Sequence, residues 1–262
     1  MRILVTNDDG IDAPGLAILE TIAREIAGPT GEVWTVAPAF EQSGVGHCIS
    51  FTHPMMIEKL AERRYVTEGS PADCVLAGLH HVMADAPPEL VLSGVNRGNN
   101  AAENTLYSGT VGGAIEAALH GLPAIALSQF LGPDNEARDN PFEAAAMHGA
   151  ALVRGILKAE RPDPNPYRLF YNVNFPPCPG AGVRGVRVVR QGFRRDCAFS
   201  VDARPSPAGK LALWVRGGPQ NTPTEEGTDV HANLCGHITV TPMRGDLTAR
   251  DALNRLSDAL SG

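Results

Sequence analysis

The chain has no excess of positive charge. Its 22 lysines and arginines are outnumbered by 29 aspartates and glutamates, giving a net charge of −7. Such a chain offers no general basic surface to nucleic acid or to an anionic membrane. Long apolar runs are missing too, since none approaches the roughly 18 residues needed to span a bilayer. The opening Met-Arg-Ile-Leu-Val is too short for a signal peptide, and polar residues follow at once. Cysteine is sparse and unpatterned. The five (Cys48, Cys74, Cys178, Cys197 and Cys235) are scattered and include no Cys-x-x-Cys pair, which argues against a zinc or disulfide framework. These absences make the cytoplasm the expected compartment. Familiar catalytic signatures are lacking as well. There is no Gly-Lys-Ser/Thr of a P-loop and no Gly-x-Ser-x-Gly elbow, and the eight histidines form no recognisable metal pair.

What is present suits a globular protein with a sizeable core: 262 residues, 43% hydrophobic and 19% charged. Ile3 to Val5 form a short apolar run, as expected of a strand buried on both faces of a parallel sheet. Leu16, Leu19, Ile22, Ala23 and Ile26 then recur at helical spacing, with Pro14 in the first turn and Gly28-Pro29 as the stop. Strands follow at Val33 to Ala37, Leu90 to Leu92 and Ile125 to Leu127. Between and after them, helices are expected from Ser70-Pro71-Ala72-Asp73 onward, over Val111 to Leu119, and over Phe142 to Leu157. This alternation predicts an α/β fold: a doubly wound, mainly parallel, Rossmann-like sheet with helices on both faces. Beyond Pro162 the texture changes. Strand-like pieces at 169–175, 186–189, 211–215 and 237–241 show no helices between them and suggest an antiparallel β extension. A terminal helix over Leu247 to Leu260 closes the chain. The expected division is a core over 1–180 and a C-terminal extension with its helix over 181–262.

Three polar loops fall after strands of this sheet. They are Asn7-Asp8-Asp9-Gly10, Glu41-Gln42-Ser43-Gly44, and Ser93-Gly94-Val95-Asn96-Arg97-Gly98-Asn99-Asn100. Taken singly, Asp-Asp-Gly is a common solvated turn, and Ser43 and Asn96 are common turn formers. Right-handed crossovers would bring all three to one sheet edge, where ligands of α/β proteins bind. Adjacent carboxylates there repel each other unless they share a cation. Carboxylate, hydroxyl and carboxamide oxygens suit Mg²⁺ or Mn²⁺, with Ca²⁺ as a further candidate, rather than zinc. A fourth segment, Ser108-Gly109-Thr110, precedes a helix whose N-terminus would favour phosphate, although Ser and Thr there also serve as plain caps. His80 and His81 read as surface or packing residues. Arg194 and Arg195 could meet an anionic group, though solvated arginines are commoner.

Several motifs in order resemble the SurE family of divalent-metal-dependent 5′-nucleotidases (survival protein E). Met1 to Gly10 and Ala13-Pro14-Gly15 resemble the family's opening, and Ala37-Pro38 with Gln42-Ser43-Gly44 its second loop. Gly69-Ser70-Pro71-Ala72-Asp73-Cys74-Val75 is similar to a family segment that usually carries Thr in place of Ser70. Ser93 to Asn99, Tyr107 to Gly112, Asn172 to Pro176, Thr228-Asp229 and Thr241-Pro242 extend the likeness over nearly the whole chain.

The resemblance implies one divalent cation on Asp8, Asp9, Ser43 and Asn96. It also implies catalytic roles for Asp8 and Asp9, with substrate contacts from Asn7, Gly44, Ser108, Gly109 and Thr110. The implied substrates are nucleoside 5′-monophosphates, extending to 3′-monophosphates and short polyphosphate. Attack would come from water with one aspartate as general base, or from an aspartate itself. A non-catalytic nucleotide-binding module and a receiver-type signalling domain are the alternatives. The receiver reading is weak, because Ser and Asn stand after the 90–92 strand where a phosphoacceptor Asp is needed. The family's exchange of C-terminal segments, together with exposed edges on the late strands, implies a homodimer or homotetramer.

Overall fold

The computed structural model describes residues 1–195, 197–206 and 209–261. Its centre is a nine-stranded sheet. In chain order the strands are β1 (Arg2–Thr6), β2 (Glu32–Pro38), β3 (Ile57–Ala61), β4 (Arg64–Thr67), β5 (Leu90–Arg97), β6 (Ala124–Gln129), β7 (Phe170–Phe175), β8 (Val186–Val188) and β11 (Ile238–Met243). Their spatial order is β3-β4-β2-β1-β5-β6-β7-β11-β8. From β4 to β7 every neighbouring pair is parallel. A separate antiparallel ribbon is made by β9 (Ser200–Pro205) and β10 (Leu211–Arg216).

The alternation of side chains along β1 builds two cores. Ile3 and Val5 join the core packed by helices α1 (Pro14–Ala27) and α4 (Glu143–Ala159). Leu4 joins the opposite core, under α2 (Pro71–Ala77) and α3 (Gly109–Leu119). All of these strand residues have no measurable exposure, which is why β1 reads as a continuous apolar run. The start of α2 forms as its sequence predicts. Ser70 accepts from the Asp73 backbone N–H, and the Asp73 carboxylate accepts in return from the Ser70 N–H.

After β1 the chain winds to one side, to β2, and later returns to the other side as β5. The winding therefore reverses between β1 and β5, and the carboxyl ends of these two strands flank the crevice where such folds bind ligands.

Beyond Pro162 the sequence texture suggests an antiparallel extension, and the structure corrects this in part. β7 continues the parallel sheet beside β6, β11 pairs antiparallel to β7, and β8 pairs parallel to β11. Among the described residues only β9 and β10 stand apart. A helix also intervenes, α5 (Asp229–Leu234), too short to display a hydrophobic period. The last segment is a 3₁₀ turn at Arg250–Ala252 followed by α6 (Leu253–Leu260), which buries no residue.

Candidate active site

The first loop leaves β1 through Asn7, which is fully buried and donates its side-chain amide to the Gly10 carbonyl at 2.8 Å. The two aspartates that follow face different ways. Asp8 is 3% exposed and turns to the N-terminus of α3. Its Oδ1 accepts from the Thr110 hydroxyl at 2.5 Å, and the Thr110 backbone N–H also donates to it. Asp9 is half-buried, and its Oδ2 accepts from the Arg97 backbone N–H at 3.0 Å. Burial first, and then the charge of Asp9, push the Asp8 carboxyl up to about 7 against the Thr110 hydrogen bonds that lower it. Asp9 is raised as well, chiefly by burial.

The other segments converge on this pair. The Gln42 backbone N–H donates to the Asp8 carbonyl at 2.7 Å, which fastens the second loop to the first. Ser43 is exposed, with its hydroxyl on the Glu41 carboxylate at 2.9 Å, and Gly44 beside it is exposed too. Asn96 stands where the β5–β6 register shifts between Ser93 and Asn96, and irregularities of this kind re-aim side chains at functional edges. Its amide nitrogen donates to the Gly98 carbonyl at 2.9 Å, so its oxygen is not committed to that bond.

Gly109 permits the closest approach. A Cβ at that position would stand 2.9 Å from the Asp8 Cβ and 3.1 Å from the Gln42 carbonyl oxygen. Ser108 caps α3 by accepting from the Val111 N–H at 3.1 Å. The hydroxyls of Ser108 and Thr110 thus both serve the protein, as do the N–H groups of Thr110 and Val111, and the Gly109 N–H is what this end of α3 offers to an anion.

Among the described residues neither Asp8 nor Asp9 has a salt-bridge partner, and no group of three or more His, Cys, Asp or Glu is arranged to hold a metal ion. A pair of desolvated carboxylates is costly without a cation. The nearby donors that could complete a coordination shell are neutral oxygens on Ser43 and Asn96. Such an all-oxygen set fits a hard divalent cation.

Sequence reasoning named Arg194, as able to meet an anionic group, and Asp229, within a motif, but not their part in holding these loops. Arg194 is 2% exposed rather than solvated. Its guanidinium donates to the Asn99 side-chain oxygen at 2.6 Å, the Ala101 carbonyl at 3.1 Å and the Glu103 carboxylate at 3.0 Å. Asp229 accepts from the backbone N–H groups of Ala102 and Gly192 at 2.9 and 2.8 Å. Both tie the chain after Asn96 to the C-terminal part. Asp229 lay within a recognised motif, whereas nothing local marked Arg194 as buried. Glu116, on α3, accepts from His47 at 2.6 Å and from His120 at 3.1 Å, linking the second loop to the far end of that helix. His80 is exposed, with its ring edge-on to His120 at 5.1 Å.

A doubly wound α/β protein with a carboxylate pair at its switch point is the class that fold and site define. A family model described as survival protein SurE matches residues 3–197. A relative from Cereibacter sphaeroides named 5′-nucleotidase SurE is 68% identical over 262 residues, covering 100% of both chains. One of the same name from Ruegeria pomeroyi is 67% identical, covering 99% of this chain and 100% of its own. The crystal structure of the SurE protein from Aquifex aeolicus superposes with a TM-score of 0.81 at 34% identity, covering 99% of each chain. The chain belongs to the SurE family.

Proposed function

We propose that this chain is a divalent-metal-dependent 5′-nucleotidase that hydrolyses nucleoside 5′-monophosphates to nucleoside and phosphate. The observation that carries the reading is the desolvated Asp8–Asp9 pair at the switch point, set against the N-terminus of α3. Full-length likeness to relatives named 5′-nucleotidase SurE supports the substrate class.

Asp8, Asp9, Ser43 and Asn96 would hold one Mg²⁺ or Mn²⁺. When bound, the cation supplies charge neutralisation at the phosphoryl group and orients it for in-line attack. The backbone N–H of Gly109 receives a phosphate oxygen at the positive end of α3, beside the Thr110 N–H that is held by Asp8. Asn7 shapes the first loop through its bond to the Gly10 carbonyl, and Gly44, at φ +80°, makes the turn beside Ser43. Thr110 holds Asp8 in one orientation through its hydroxyl. Asp9, the more exposed of the two carboxylates, takes the proton of the attacking water.

Phosphate release from AMP or GMP with Mn²⁺ or Mg²⁺, abolished by EDTA and restored by added metal, is the expected result. Asp9→Asn should lower turnover by orders of magnitude while the circular dichroism spectrum and melting temperature persist. Wild-type turnover in that variant would sink the assignment.

We also propose a cytoplasmic homodimer or dimer of dimers, built through the C-terminal part from residue 181 onward. In support, Leu253, Leu256 and Leu260 of α6 are exposed, as are Leu211, Leu213, Trp214 and Val215 of β10. No helix is long and apolar enough to cross a membrane among the described residues. Light scattering tests the assembly: a single species near the 27.7 kDa chain mass at micromolar concentration contradicts it.

A further inference from the structure

The divergence of the two aspartates points beyond the phosphate. Asp8 faces α3, where Gly109 packs against both Asp8 and Gln42. Asp9 instead forms part of the wall of an open cleft of about 380 Å³ on the α1 and α4 side of the sheet edge. That volume falls within the range of small-molecule sites, about 300–1,000 Å³. The cleft meets the site at Asp9 and Arg97, next to where the ester oxygen of a substrate with its phosphate at the α3 N-terminus would lie.

We propose that this cleft binds the nucleoside half of the substrate, with Leu131, Pro141 and Phe142 seating the base and Glu136 and Asp139 accepting from its donors. The proposal rests on the nucleotidase reading above. The seat is preformed: Phe142 is 4% exposed, and a Cβ on Gly15 of α1 would come 3.1 Å from its ring and 1.9 Å from the Val95 carbonyl oxygen. The rim is acidic. Glu41, Glu136 and Asp139 line it beside one cation, Arg97.

Ionised carboxylates only accept hydrogen bonds. They therefore match ribose hydroxyls and the exocyclic amino groups of adenine, guanine and cytosine, whereas uracil offers only its single ring N3–H. The same charges repel additional phosphates, so monophosphates are favoured over di- and triphosphates.

Turnover of AMP, UMP, ATP and p-nitrophenyl phosphate, the last carrying no nucleoside, tests this with Mn²⁺ present. The double variant E136Q/D139N should lower the ratio of kcat/KM for AMP to that for p-nitrophenyl phosphate about tenfold, through KM, as expected for lost charge-assisted hydrogen bonds. L131A should lower the same ratio, and wild type should prefer AMP to UMP and to ATP. Calorimetric titration of adenosine into the wild-type protein reads the cleft without turnover, and binding should weaken in both variants. An unchanged ratio, parallel losses on AMP and p-nitrophenyl phosphate, or absence of adenosine binding overturns the proposal. If the wild type binds adenosine but hydrolyses no phosphate ester, the nucleotidase reading fails and the cleft stands as a nucleoside site.

Discussion

Thr110→Val isolates one bond at the centre of the site. Thr110 has no exposed surface, and valine matches its shape, so the substitution opens no cavity and leaves the backbone N–H in place. What disappears is the hydroxyl that donates to Asp8 Oδ1. A hydrogen bond to a charged group contributes about 1.5–3 kcal/mol. At about 1.4 kcal/mol per tenfold change in equilibrium, its loss raises the proton affinity of Asp8 by about one to two pH units. That carboxyl already stands at about 7 through burial and the charge of Asp9, so in the variant it is largely protonated at neutral pH. A cation needs the ionised form. Half-saturating Mn²⁺ for AMP hydrolysis at pH 7 should therefore rise about 10- to 100-fold, the usual range for a lost partner of a metal ligand. Because the competing species is a proton, the deficit should shrink as pH rises from about 7 to about 9. Thr110→Ser keeps the hydroxyl and should behave as wild type. A folded Thr110→Val with unchanged Mn²⁺ dependence, or an equal loss in Thr110→Ser, would refute the reasoning.

Other substitutions test the frame around the site. Gly109→Ala forces a Cβ to 2.9 Å from the Asp8 Cβ; overpacking should cost about 1–3 kcal/mol in urea unfolding and weaken Mn²⁺ binding, and unchanged values would contradict the close approach. Arg194→Met removes a guanidinium whose side chain is 0% exposed and leaves Glu103 unpaired; a loss of about 3 kcal/mol is expected, and a loss below about 1 kcal/mol would count against the buried tether. The hydrogen bond from His47, with help from His120, holds the Glu116 carboxyl below its ordinary 4.5. The native state therefore sheds this proton more readily than the unfolded chain. Its stabilising share is present above about pH 4.5 and is lost as pH falls through the lowered native value. The difference in melting temperature between wild type and Glu116→Gln should narrow on acidification through that window, and a constant difference would show that the bond is not coupled to the proton.

The sequence by itself determined β1, β2, β5 and β6 of the central sheet and marked the polar loops beside them, because both depend on short-range pattern. Apolar runs such as Ile3 to Val5 fit only strands covered on both faces, and Ser70-Pro71 with Asp73 carries its own helix start. Asp8, Asp9, Ser43 and Asn96 were legible as oxygen donors after successive strands of a parallel sheet, where topology alone brings loops to one edge. Tertiary structure decided what no local pattern encodes. Residues 169–175 read as part of an antiparallel extension, and only the partners offered by β6 and β11 fix their place. The β3–β4 hairpin escaped notice because four of the five β3 residues are exposed and carry mixed polarity. Whether an arginine is solvated or buried depends on acceptors distant in sequence: Arg194 meets Asn99, Ala101 and Glu103 across more than 90 residues. The opposed directions of two adjacent aspartates follow from Thr110 on one side and the Arg97 backbone N–H on the other. Those contacts exist only once the switch point has brought β1, β5 and α3 together.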